Sequence, residues 1–447
     1  MKYISSILSS SIGNVLEWYD FGLFTIFSSL FGVLFFPAEN KEVRVIATFG
    51  IFAVGFLCRP LGALIFGYLG DKAGRAKTLR LSILMIALPT LIIGLLPSYE
   101  QIGVTAPILL MLTRMIQGIS IGGEYSGNVI YLAETAPKNY RATFVSFAST
   151  GANIGILLAA FAGIIASHLL TYEELYVFGW RLPYIFSGIL CLLVYFFRLR
   201  IKETYVFEYL KQKQLLAKNP VKTVFKHNLP HFLRSLGVVC AGTTFYFFNF
   251  VFLPLFLSQY ADYPVRQISL LMSCLIALMI VLIPLAGLIC DRVGRRKMLL
   301  FNSMTIMMLV VPGFYFLQSN YFSVLVAILL LYTMISALEQ GTTCISLVEN
   351  FPAPARYTGL ALSYSIGNGI LGGTVPIICQ WLFIHTTLFI APAIYIAGCA
   401  AITAIVVYFF VPETSHETLI KIDGLSSMED EVIGEDAWSH ATQQSPG

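Results

Sequence analysis

Six ionisable side chains lie where an apolar chain should carry none: Glu17, Asp20, Arg59, Arg114, Glu124 and Glu339. A charge surrounded by hydrocarbon costs several kcal/mol and usually faces a partner or a pathway. Proton exchange is the chemistry open to such a set. Desolvation favours a carboxyl's protonated form and a neighbouring guanidinium favours its charged form, so a change in surroundings can load or unload a proton. Asp20 lies about a third of the way along its segment, with Glu17 about 60° round the helix from it. Arg59 is about eleven residues, or about 16 Å, from the end of its own segment, beyond the reach of a snorkelling side chain. With about 100° per residue, Arg114, Gln117, Glu124, Asn128 and Tyr131 share one arc of about 100°, a stripe suited to a cavity wall. The proton-coupling set is therefore Asp20, Arg114, Glu17, Glu124 and Arg59.

Solute contact needs hydrogen-bonding groups without fixed charge of one sign. Arg59, Gln117 and Asn153 in the first half, and Tyr246, Asn249, Glu339, Tyr364 and Asn368 in the second, form the candidate substrate-binding set. Carried half a chain onward, Asp20, Arg59 and Arg114 land on the uncharged Cys240, Met279 and Leu329. The proton chemistry is expected in the first half alone.

The elements that must position these groups are membrane helices. The chain is 57% hydrophobic and 12% charged, with a mean hydropathy of +0.78; a soluble domain carries roughly twice that charge. Twelve apolar runs of bilayer-spanning length recur, at about 12–36, 45–69, 79–97, 105–133, 142–168, 181–198, 234–258, 267–290, 298–317, 321–347, 357–384 and 387–411. They predict an all-α membrane protein: a six-helix bundle over 1–198, a basic linker over 199–233 lying on lipid headgroups, a second bundle over 234–412, and an acidic tail over 413–447 expected to be disordered. Placing both termini in the cytoplasm puts 22 of the 28 Lys and Arg residues on that side, as the positive-inside rule requires. The net charge of +4 is thus topology and implies no nucleic-acid partner. The eight cysteines sit in apolar spans without paired spacing, and the histidines have no ligand spacing. No metal and no cofactor other than the proton is expected. Gly367-Asn368-Gly369-Ile370-Leu371-Gly372 matches a dinucleotide fingerprint but lies inside an apolar span, so it carries no such function. No nucleophile–base constellation is present, so an enzyme is not expected.

One loop is written twice. Gly67–Lys77 returns half a chain later as Gly287–Lys297, with Asp71 recurring as Asp291 and Arg75 as Arg295. Glu124, Glu134, Arg141 and Asn153 return as Glu339, Glu349, Arg356 and Asn368, all four at one common offset. Parallel repeats of this kind are a transporter signature. The loop Asp can accept amide hydrogen bonds at a helix start and the loop Arg can pair with a carboxylate. Asp71, Arg75, Glu134, Arg141, Asp291, Arg295, Glu349 and Arg356 are therefore read as a cytoplasmic gate.

The two loops and Arg114-Met115-Ile116-Gln117-Gly118 resemble motifs of the major facilitator superfamily. In the first loop Ala76 stands where a base is expected. Gly13-Asn14-Val15-Leu16-Glu17-Trp18-Tyr19-Asp20-Phe21, Arg59-Pro60-Leu61-Gly62 and Gly122-Gly123-Glu124 resemble, more narrowly, its metabolite:proton symporter subfamily. The resemblance covers roughly 10–412. It implies twelve helices in two bundles, alternating access, and proton-coupled uptake of solutes such as proline, betaines, 2-oxoglutarate, citrate or shikimate. It also implies an Asp20–Arg114 pairing, by analogy with proton-coupled sugar porters, and leaves Arg59 to pair with Glu124 or Glu17. Four acidic against two basic intramembrane charges lean toward a zwitterion of the proline/betaine kind over a di- or tricarboxylate, and Trp18, Tyr19 and Phe24 can offer aromatic faces to a quaternary ammonium. A drug/proton antiporter is disfavoured because Gly151–Gly163 contains no proline. The expected setting is the bilayer of a bacterial inner membrane, with a small-molecule solute as partner and a monomer as the working unit.

Overall fold

The computed structural model describes residues 2–36, 41–261, 263–318, 321–415, 417 and 419–423. Most of the acidic tail, from 424 on, lies outside them. Among the described residues eleven helices are long and apolar enough to cross a membrane, and a bent pair makes a twelfth. They are α1 (Ser10–Ile26 and Ser28–Phe35, bent by 66°), α2 (Ala53–Lys72), α3 (Arg75–Leu95), α4 (Thr105–Thr135), α5 (Lys138–Leu169), α6 (Tyr172–Arg198), α7 (Leu229–Tyr260), α8 (Val265–Val293), α9 (Arg295–Phe316), α10 (Phe322–Asn350), α11 (Ala353–His385) and α12 (Ala391–Phe410). The first six form one bundle and the last six its repeat. The most extensive contacts between them are α2 against α11 and α5 against α8, which are equivalent under the repeat.

The outer surface shows what solvent the fold expects. Ile92, Ile164, Phe197, Ile377 and Phe409 are all exposed, a band of apolar side chains that only lipid can solvate. The interior holds the polar groups: Arg75, Arg114, Arg141, Arg198, Arg295 and Arg356 are among the largest side chains buried completely. Close packing between helices rests on small residues. A β-carbon on Gly118 of α4 would overlap the carbonyl of Gly55, and one on Gly62 of α2 would overlap that of Ile119.

Two expectations change. The linker does not simply lie on headgroups: helices Tyr205–Gln212 and Pro220–His227, capped by Thr204 and Asn219, bury Val206, Phe207, Leu210 and Val224. Their polar composition hides amphipathic faces that cover the ends of the bundles, and α7 begins at Leu229. The start of the tail is not disordered either. Glu413, Thr414, Glu417 and Asp423 all make hydrogen bonds to the bundles.

Candidate functional site

The bend of α1 falls after Asp20, which is 1% exposed and faces α4. Arg114 Nη1 lies 2.7 Å from Asp20 Oδ2, and Arg114 Nη2 donates to the hydroxyl of Tyr184 at 3.2 Å. Thr90 on α3 donates to Asp20 Oδ1 at 3.1 Å and accepts from Gln117 Nε2 at 2.8 Å. The Phe24 ring sits 4.0 Å from the guanidinium carbon of Arg114. Gln117, read as a solute contact, instead belongs to the shell that holds Asp20.

A second set of charges lies nearby on the same bundle. Glu124 does not meet Arg59. Arg198, the last residue of α6, takes both its oxygens, Nη2 to Oε1 at 2.6 Å and Nη1 to Oε2 at 2.8 Å, and Ser82 donates to Oε2 at 2.5 Å. The position of Arg198 at a helix end is one where a base ordinarily meets water. A side chain at the end of a helix can turn inward when a buried carboxylate neutralises it, and both partners here are fully buried. Arg59 lies instead over the ring of Phe56 at 3.9 Å and near those of Phe21 and Trp18, at 5.2 and 5.5 Å, its Nε and Nη2 without hydrogen-bond partners. Glu17 is 2% exposed; both its oxygens also lack hydrogen-bond partners, with Arg59, Glu124, Arg198 and Asp20 within electrostatic reach.

Between the bundles lies a cavity of about 50 Å³ lined by Trp18, Tyr125 and Asn153 from the first bundle and Tyr246, Glu339, Tyr364 and Asn368 from the second, among others. At this volume it takes one or two waters, so a solute fits only when the bundles part. Asn153 Nδ2 reaches across to Gln340 Oε1 at 3.0 Å. Tyr125 stacks on Tyr364 with ring centroids 4.6 Å apart, and its hydroxyl lies 3.1 Å from Cys344 Sγ. Three residues assigned to solute contact, Arg59, Gln117 and Asn249, do not line this cavity. Asn249 is wholly buried in the α7 bundle side, its amide unpartnered. It occupies a stretch of α7 wound with a wider turn, Phe248–Phe252, which turns it off the face that sequence periodicity assigns.

Beneath the cavity the repeated loops close the bundles twice. Asp71 on α2 accepts from the amides of Tyr357 and Thr358 at the start of α11, at 3.1 and 2.9 Å. Asp291 on α8 accepts from the amides of Ala142 and Thr143 at the start of α5, both at 2.9 Å. A carboxylate at a helix N-terminus meets unsatisfied amides and the positive end of the dipole. Gly74 and Gly294, at φ of 108° and 107°, make the turns that let Arg75 and Arg295 point inward; a left-handed backbone of this kind favours glycine. Arg75 lies 3.4 Å from Glu134, and Arg295 lies 3.1 Å from Glu349. Arg356 crosses to Glu134 at 3.1 Å and Arg141 crosses to Glu349 at 3.0 Å.

Four residues of this clasp escaped sequence reasoning. Glu203 accepts from the amides of Arg75 and Ala76 at 2.9 and 3.1 Å, while Glu413 accepts from those of Arg295 and Arg296 at 2.8 and 3.2 Å. Thr204 donates to Glu134 and Thr414 to Glu349, both at 2.5 Å. The recurrence of a Glu-Thr pair, once after the sixth span and again after the twelfth, was the available signal. Asp423 adds an ion pair to Arg356 at 2.5 Å.

Twelve spans in two repeated bundles, clasped beneath an interfacial cavity, define an integral membrane protein with a carrier fold. The chain belongs to the Major Facilitator Superfamily, whose model matches residues 23–376 and again 234–443. Among relatives, the proline/betaine transporter of Escherichia coli (strain K12) is 32% identical over 428 residues, 94% of this chain and 85% of its own length. That of Salmonella typhimurium is 33% identical with the same coverage. The proton:xylose symporter XylE, bound to 6-bromo-6-deoxy-D-glucose, shares the fold with a TM-score of 0.75 at 18% identity, over 95% of this chain and 98% of XylE.

Proposed function

We propose that the protein is a proton symporter that brings a small zwitterionic solute of the proline/betaine kind into a bacterial cell by alternating access, with both termini and the double clasp on the cytoplasmic side. The observation that carries this reading is the buried Asp20–Arg114 pair at 2.7 Å, present in one bundle only among the described residues. With the clasp shut, the cavity opens outward when the bundles part. A proton on Asp20 ends its ion pair and frees Arg114 to lean on Tyr184 and the Phe24 ring, and the loss of that link between α1 and α4 releases the helices for the reorientation. Inside the cell the proton leaves, the pair re-forms, and the empty carrier returns. Glu17 and Arg59 lie within reach to receive or repel that proton, and the Glu124–Arg198 pair holds the helices around them.

A dicarboxylate or citrate is the weaker reading, because no basic side chain among the described residues lines the cavity and a polyanion needs at least one. The relatives named above are proline/betaine transporters, which does not favour a drug antiporter.

The experiment is uptake into proteoliposomes of proline, glycine betaine, 2-oxoglutarate, citrate and shikimate, with and without an inward proton gradient. Proline or betaine accumulates only with the gradient. The Asp20→Asn carrier, which cannot couple, equilibrates the solute by exchange and accumulates none. Undiminished uphill uptake by that variant, or gradient-driven efflux of a hydrophobic cation, refutes the proposal.

A further inference from the structure

Glu124 and Glu339 hold equivalent places in the repeat. Each packs over a glycine of the first helix of its bundle: a β-carbon on Gly13 of α1 would overlap Glu124, and one on Gly242 of α7 would overlap Glu339. Their electrostatic settings are opposite. Glu124 is neutralised by Arg198. In the register of the Glu-Thr pairs, Arg198 corresponds to Tyr408, which is 56% exposed on the outer, lipid-facing surface. Glu339 is left with a hydrogen bond from Thr343 of its own helix at 2.5 Å, and no ion pair among the described residues involves it.

Among the described residues this carboxylate is the one charged side chain lining the interfacial cavity, whose walls also carry the rings of Trp18, Tyr125, Tyr246, Phe247 and Tyr364. A lone carboxylate among aromatic faces matches an organic cation. The carboxylate supplies charge, and the rings replace the water around N-methyl or ring methylene groups without asking for hydrogen bonds. A buried carboxylate without a counter-ion is costly, and a solute that brings the counter-ion removes that cost. We propose that Glu339 is the specificity-determining anchor for the ammonium end of the solute, and that the cavity therefore also binds small quaternary ammonium ions that carry no carboxylate. The inference rests on the symport reading for the identity of the solute but not on proton coupling.

Tetramethylammonium chloride is the probe, titrated calorimetrically into the purified full-length protein in lipid nanodiscs with no proton gradient; neutral tert-butanol is the control for shape. The wild-type protein binds tetramethylammonium and not tert-butanol. Glu339→Gln weakens tetramethylammonium by about tenfold or more, as expected for losing a desolvated charge partner. Glu339→Asp recovers most of that loss, and Tyr246→Ala weakens binding several-fold. A single cooperative thermal unfolding transition shows that each variant is folded. Equal binding by wild type and Glu339→Gln, or no binding by the wild type, overturns the inference while leaving gradient-driven uptake untouched. Conversely, a wild-type carrier that accumulates no solute but shows the Glu339-dependent binding ends the symport reading and keeps this one.

Discussion

The buried charges of the first bundle and the double clasp beneath both bundles are made from the same residue types, yet they differ in symmetry. The clasp exists twice, with Asp71 and Asp291, Arg75 and Arg295, Glu134 and Glu349, Glu203 and Glu413 in matching contacts. Among the described residues the charge cluster exists once. Closing two bundles onto each other is a symmetric task, and gene duplication supplies both halves of it. The proposed symport sets the halves different tasks, and their buried charges differ with them: the second bundle offers the cavity one carboxylate, Glu339, that makes no ion pair among the described residues.

The packing sharpens the register of that difference. The offset of the repeated loops sets Asp20 against Cys240. The glycines under Glu124 and Glu339, Gly13 and Gly242, instead imply a longer offset for the first helix of each bundle, which sets Asp20 against Asn249 and Glu17 against Tyr246. On that register a carboxylate has become an amide in the second bundle, a substitution that abolishes titration while keeping size.

The strongest test of the contrast removes one partner from the unrepeated cluster. Arg198→Ala leaves Glu124 charged and buried, and a broken buried pair costs about 3–5 kcal/mol. Thermal unfolding of the purified protein is expected to show a large fall, and Arg198→Met with Glu124→Leu to recover part of it. Tyr408→Ala, at the corresponding place in the repeat, is expected to change stability by less than about 1 kcal/mol. Similar losses at 198 and 408 contradict the asymmetry.

A smaller effect probes the repeated region. Asp71→Asn and Asp291→Asn each weaken charge-assisted hydrogen bonds to a facing helix start, worth about 1.5–3 kcal/mol apiece. Each is expected to raise maleimide labelling of Cys344, kept as the one cysteine, by about tenfold. Changes that differ by an order of magnitude between the two variants show that the clasps are not equivalent.

The finest distinction lies within the clasp and is read by pH. Burial pushes the carboxyl of Glu203 above its ordinary value. Burial acts on Glu413 too, but the amides of Arg295, Ser415 and Arg296 hold it below. A raised carboxyl contributes stability that is full below its unfolded value of 4.5 and falls as pH rises through the folded value. A lowered one contributes above 4.5 and loses it as pH falls through the folded value. Acidification from about pH 7 to about pH 4 is expected to favour amide protection at Arg75–Ala76 over Arg295–Arg296 by about two- to threefold in hydrogen exchange. A ratio moving the other way reverses the assignment.

The sequence by itself determined the solvent, the number of spans, the duplication and most of the membership of the clasp, because these follow from composition, from run length and from residues recurring at one spacing. Asp20 and Arg114 were legible as buried charges through the same logic. Tertiary structure alone decided the partners. Arg198 stands at a helix end, where a base ordinarily meets water, and only packing turns it onto Glu124. Gln117 falls on the polar arc of α4, but Thr90 claims it. Asn249 leaves the cavity face because α7 widens its turn there. Glu203 and Glu413 lie in stretches that read as solvated linker and tail, and cap helices only once the bundles are assembled. Periodicity reports which face of a helix a residue occupies; which helix faces it, and whether a counter-charge is already there, is settled by contacts between helices far apart in the chain.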